Sequence, residues 1–144
     1  MMVGRDYVVE STDLVSSLDD ISEIAECVKE LETALTGNLC TTWSKWSGQW
    51  KTVPFVGHLY QPLLFVGKNQ WIKISPVALD RHEARFVDDL AQWCRAQEDD
   101  EVYLLRNQSV IGLDFFQAAN LFPDFLLWVQ QGDIQHLAFV DPKG

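Results

Sequence analysis

Basic residues are scarce in this chain: eleven Lys and Arg stand against twenty-one Asp and Glu, a net charge of −10. A free-standing, tight nucleic-acid binder needs clustered cations to meet phosphates, so that class is disfavoured. An enzyme acting on nucleic acid is still open, because a partner or another domain can supply the grip. Cysteine is sparse too. Cys27, Cys40 and Cys94 form no CxxC pair and leave one thiol over, which argues against a disulfide framework or a zinc site and for a reducing, cytoplasmic setting. His58, His82 and His136 lack ligand spacing. No apolar run approaches the roughly 18 to 20 residues that span a bilayer, and MMVGRDYVVE lacks the apolar core of a signal peptide. The chain therefore reads as soluble, with no membrane partner. Repeats, low-complexity stretches and Pro/Gly-rich linkers are missing as well.

What is present suits one globular domain. The 144 residues are 47% apolar and 22% charged, enough to bury a core and too apolar for disorder. From Leu14 to Leu35, the positions Ile21, Ile24, Val28, Leu31 and Leu35 recur at three- and four-residue steps. That spacing predicts a helix with one apolar face, and its acidic face reads as solvated surface. TTWSKWSGQWK follows, with Trp43, Trp46 and Trp50 at i, i+3 and i+7. Tryptophans among lysines can stack bases, but helical spacing favours a packed stripe, and Gly48 weakens a helix there.

LLFVGKNQWIKIS (Leu63 to Ser75) reads as two strands of one hairpin around Gly67–Gln70. Asp80 then opens a helix to about Gln97, with Glu83 three residues on in a capping-box pattern. Glu83, Val87, Leu90 and Cys94 share one face by the 3.6-residue period, so Glu83 is the acid on the side turned to the core. The acidic run EDDE is a loop, and EVYLLRN (Glu101 to Asn107) is a strand. SVIGLDFFQAANLF is ambiguous, although Phe115, Phe116 and Phe122 must find a core. Two closing strands run from about Asp124 to Gln130 and from Gln135 to Asp141.

Gly132-Asp133 suits a two-residue hairpin loop with glycine first, the type II′ preference. Gln131 then faces Ile134, and counting outwards puts Asp124 opposite Asp141. Opposed residues share a face, with Cβ atoms about 4.5 to 5.5 Å apart. Lys143 joins that face if the strand stays extended, a step that Pro142 strains. Two such carboxylates repel unless one is protonated, a lysine pairs with them, or a divalent cation binds. Mg²⁺ takes one or two carboxylates and fills its remaining positions with water and substrate phosphate. Each of these residues also has a plain role, as Pro-Asp and Asp-Pro-Lys-Gly are turn compositions and Glu83 is explained by its cap.

Pro123-Asp124, sixteen residues, then Asp141-Pro142-Lys143 resembles the motif of the PD-(D/E)XK nuclease superfamily. The longer stretch VYLLRNQSVIGLDFFQAANLFPDFLLWVQQGDIQHLAFVDPKG resembles the C-terminal endonuclease domain of type III restriction subunits and related DEAD/DEAH-box helicases. HLYQPLLFV, IKISPVAL and the Glu83 helix extend the resemblance to residues 58–144. It implies an α/β, restriction-endonuclease-like fold, a mixed sheet flanked by helices, over residues 58–144; residues 1–57, outside the resemblance, read as a helical and Trp-rich segment packing on that core. It makes Asp124 and Asp141 metal ligands, Lys143 the catalytic lysine, and Glu83 the acid that completes the site. Mg²⁺, with Mn²⁺ as a substitute, is the implied cofactor. The implied partners are DNA and a helicase/ATPase portion of the same or another protein, because this chain has no GxxxxGK(S/T) and no DEAD-type box. A helix and a strand follow the DxK strand in the superfamily, whereas this sequence stops at Gly144, so the resemblance implies either a fragment of a larger protein or a sheet covered by something else.

The function expected from residues and resemblance together is metal-dependent hydrolysis of phosphodiester bonds in DNA, within a prokaryotic restriction or defence helicase-nuclease. Two rivals stand beside it. One is a nuclease-like module that docks DNA without cutting. The other is a protein-interaction domain working through the acidic helix and the tryptophans.

Overall fold

The computed structural model describes residues 2–3, 7–12, 18–37, 41–45, 48–53, 55, 63–67, 70–97, 99–107 and 123–143. They form two helices and nine short strands, an α/β chain that divides into two units. The first comprises Met1–Phe55 and Tyr60–Ala84, and the second Val56–Leu59 and Arg85–Gly144. The ambiguous segment 109–122 and its three phenylalanines lie outside the described residues.

In the first unit, β1 (Met2–Val3), β2 (Tyr7–Ser11) and β6 (Ile72–Ser75) form one antiparallel sheet in the order β1-β2-β6. A second sheet, β3-β4-β5, joins Thr41–Lys45, Gly48–Val53 and Leu63–Phe65. Helix α1 (Leu18–Thr36) turns Cys27, Val28, Leu31, Ala34 and Leu35 inward, the i, i+1, i+4, i+7, i+8 stripe of an amphipathic helix. Glu23, Glu26, Glu30 and Glu32 face solvent. Ile21 departs from the expected face, as it is 53% exposed. Tyr7, Val9, Trp50, Leu64, Val66 and Ile72 complete the core with α1.

Two local expectations are corrected here. The tryptophan segment is a β-hairpin and not a helix, with Trp43 directly opposite Trp50 and Trp50 fully buried. Threonine and tryptophan favour strands, and the seven-residue separation follows from facing positions of a hairpin as readily as from helical turns. Removing an indole of about 150–250 Å² from water, at about 25 cal/mol per Å², makes Trp50 a main anchor of this sheet. Leu63–Phe65 and Ile72–Ser75 are strands, as expected, but they do not pair with each other. β5 pairs with β4 and β6 with β2. Gly67 between them has φ of 64°, so the turn signal was sound while the partner assignment was not.

Helix α2 (Arg81–Ala96) begins in the first unit and continues in the second. The second unit holds one antiparallel sheet in the order β7-β8-β9, from Glu101–Arg106, Phe125–Gln131 and Ile134–Val140. Val87, Leu90 and Ala91 of α2 are buried, and the Phe86 ring meets Phe125 with centroids 5.2 Å apart at 41°. Phe125 is fully buried. The sheets of the described residues are antiparallel, with Phe65–Leu79 an isolated parallel bridge. One mixed sheet was expected. Parallel neighbours need a long crossover, and the strands observed here pair antiparallel within three-stranded sheets.

Candidate functional site

The closing hairpin builds the site. Gly132 has φ of 59°, the positive value its loop position calls for. The register runs from Gln131 opposite Ile134 to Phe125 opposite Val140, as the loop length dictates. One step beyond the ladder stand Asp124 and Asp141, in the same alternation. On the other side of β8, the Asn107 backbone N–H donates to the Asp124 carbonyl at 2.8 Å, and Asn107 Nδ2 donates to the Pro123 carbonyl at 3.1 Å. Asp124 is thus held at the end of a three-stranded frame. Asn107 escaped the sequence reading as a positioning group. Its signal was its place at a strand end, where an Asn side chain readily bonds nearby backbone.

The two carboxylates differ in setting. Asp124 is half-buried; its Oδ2 is enclosed and accepts no hydrogen bond, while the residue is otherwise engaged by its neighbours. Asp141 is exposed, and its Oδ1 accepts the Lys143 backbone N–H at 3.0 Å. That bond makes an Asx turn of Asp141–Lys143. The strand therefore ends at Val140, and Lys143 stands in a turn instead of continuing the strand face. Alternation along β7, β8 and β9 puts Tyr103, Trp128, Leu137 and Phe139 on the carboxylate face. The Tyr103 hydroxyl donates to Glu101 Oε2 at 2.9 Å, and this bond, with the carboxylate's charge, pushes the phenol above its usual range.

Glu83 sits in a complete capping box. Asp80 Oδ1 accepts the N–H groups of His82 at 2.8 Å and Glu83 at 2.9 Å, while Glu83 Oε2 accepts the Asp80 N–H at 2.7 Å. Its side chain is 5% exposed and belongs to the first unit, whereas Asp124, Asp141 and Lys143 belong to the second. Among the described residues, no three His, Cys, Asp or Glu side chains gather into a group that could hold a metal. Of the three acids expected to hold a cation, Asp124 and Asp141 are the two that belong to the closing hairpin's unit. Hard carboxylate oxygens of this number suit Mg²⁺, which completes its shell with water and phosphate.

Other groups carry less chemistry. Burial raises the Cys94 thiol, holding it in the protonated form that is a poor nucleophile and ligand. His136 is exposed on β9. In the first unit, a groove of about 570 Å³ is lined by β2, β6 and 66–67, 77–80. Its Glu10 and Lys73 face each other across the strands, and its Asp80 is committed to the cap. Among the described residues no helix is long and apolar enough to cross a membrane. The chain matches no family model, no curated protein and no solved structure.

Proposed function

We propose that this chain is a divalent-metal-dependent DNA endonuclease domain of the PD-(D/E)XK type, part of a prokaryotic restriction or defence helicase-nuclease. The observation that supports the reading is the hairpin register, which runs to Phe125 opposite Val140 and leaves Asp124 and Asp141 as the next residues outward, with Lys143 two residues on. Asp124 and Asp141 are the residues that would hold Mg²⁺ or Mn²⁺. When bound, such an ion polarises a phosphoryl oxygen and lowers the pKa of a water. Lys143 contributes a cation that offsets charge developing on the phosphate. The Asn107 bonds keep the Asp124 backbone in place while the exposed Asp141 side receives the strand to be cut. Glu83 is occupied with its helix cap, so the first reading rests on the second unit's three residues.

A second reading, a nuclease-like module that docks DNA or protein without cutting, draws support from the Asp141 Asx turn, which engages one oxygen of an expected metal ligand. One experiment separates the two. Plasmid cleavage is measured with Mg²⁺ or Mn²⁺ for the wild-type protein and for Asp141→Ala. Cleavage that falls by roughly a hundredfold in the variant, a loss of about 2.7 kcal/mol of transition-state stabilisation, supports the nuclease. Equal cleavage by both proteins removes Asp141 from the site. No cleavage together with no divalent-ion heat in calorimetry selects the non-cutting module.

A further inference from the structure

The face of the β7-β8-β9 sheet that carries Phe125 meets Phe86 of α2. Strand alternation puts two registered rows on the opposite face. Glu101, Gln130 and Gln135 form one row, and Tyr103, Trp128 and Leu137 form the next. Tyr103 is 48% exposed and Leu137 50%, with Trp128 half-buried between them. Glu101 and Gln135 are exposed as well. In the row beyond, Leu126 is buried and Phe139 is engaged by other groups, so the open area ends there. Facing residues of neighbouring strands hold their Cβ atoms about 4.5–5.5 Å apart, which sets the Tyr103 and Trp128 side chains next to each other. Glu101 precedes Tyr103 by two residues on the same strand and face. The Tyr103 hydroxyl donates to Glu101 Oε2 at 2.9 Å, tying the phenol and the carboxylate together.

Two aromatic rings with a carboxylate at their rim suit a cation, because the electron-rich face of Trp or Tyr attracts positive charge. Charge around the two rows has one sign. None of their residues is basic, and Asp99 and Asp100 lead directly into Glu101. Asp99 is exposed, and Asp100 Oδ2 accepts Gln131 Nε2 at 2.9 Å. A nucleic-acid strand stacked on the same rings would bring its phosphates to these acids with no cation in the rows to offset them. A second copy would bring the same acids and another charge of −10. Arginine fits better than lysine. Its planar guanidinium stacks on an aromatic face while its edge N–H groups reach a carboxylate. We propose that Tyr103, Trp128 and Glu101 form a docking site for an arginine-bearing segment of a partner protein, with the guanidinium on the rings and donating to Glu101. Trp, Tyr and Arg are also the side chains that most often dominate binding at protein interfaces. The site does not depend on the nuclease reading and shares no residue with it.

The test is fluorescence anisotropy at about 0.15 M NaCl with a dye-labelled, end-blocked peptide in which Arg alternates with Thr. Titration with the full chain is expected to give saturable binding. A peptide with Lys at every Arg position carries the same charge without the flat guanidinium, and is expected to bind about threefold more weakly. Trp128→Leu is expected to weaken the Arg peptide about fivefold, and Glu101→Gln about threefold. Tyr103→Phe keeps the ring and is expected to stay within about twofold of wild type. No saturable binding of the Arg peptide would overturn the proposal. Equal binding of the Arg and Lys peptides would overturn it too, as would equal binding of the Arg peptide by wild type and Trp128→Leu, since charge alone would then explain the complex. The Arg–Lys comparison uses the unaltered protein, so a misfolded variant does not decide the outcome. Binding of dye-labelled oligo(dT) in place of the Arg peptide, lost in Trp128→Leu, would overturn it in favour of base stacking. A dimer in sedimentation that Trp128→Leu dissociates would overturn it in favour of a second copy.

Discussion

Glu83 is a residue for which two chemistries compete for one carboxylate. Sequence position offered it as a helix cap and, through the resemblance, as the acid that completes a metal site. Its Oε2 is spent on the Asp80 N–H, and Asp80 returns two bonds to the helix start. Gln serves this box as well as Glu, so Glu83→Gln is expected to keep both fold and cleavage, with rates within about twofold of wild type. Asp80→Ala is expected to cost about 0.5–2 kcal/mol in urea unfolding. A folded Glu83→Gln protein that loses metal-dependent cleavage would return Glu83 to the site.

At the scale of elements, the closing hairpin was legible and the middle of the chain was not. Gly132-Asp133 names its own loop, and a two-residue loop leaves only one register to count from. No heavy atom lies within 4 Å of the position a Gly132 Cβ would take, so the cost of Gly132→Ala is backbone strain alone. At φ of 59° that substitution is expected to destabilise the protein by about 1–2 kcal/mol in urea unfolding, with the hairpin register unchanged. β5 and β6 show the opposite case. Their composition and the Gly67 turn were readable, but β4 and β2 won them as partners because a strand chooses among all edges that bury its face. Similarly, Trp43 and Trp50, two of the tryptophans at helical spacing, face each other across a strand pair, since β-propensity and facing geometry prevailed over a short periodic match.

For the molecule as a whole, composition carries the strongest signal. The exposed acids of α1 contribute to a net charge of −10, with few cations to balance it. Self-repulsion of this kind weakens a folded state most at low ionic strength. The melting temperature is therefore expected to rise as NaCl goes from about 0.01 to about 0.15 M, where the screening length falls from about 30 to about 8 Å. Differential scanning fluorimetry checks this, and a flat or falling curve would assign the acids to compensating contacts. The α/β class was also readable at this scale, from periods of 3.6 and 2 along one chain. The arrangement into three small antiparallel sheets was not.

By itself the sequence determined the local geometry. It set the capping box at Asp80 and Glu83, the buried stripe of α1 from Cys27 to Leu35, and the β8–β9 register from Gln131 opposite Ile134 to Phe125 opposite Val140. These follow from interactions a few residues long, or from a loop too short to allow a choice. Tertiary structure decided the rest. It assigned partners to β5 and β6 and placed Asn107 behind Asp124. Each of these is a competition among distant segments for hydrogen bonds and buried area, and no local pattern records which segment wins.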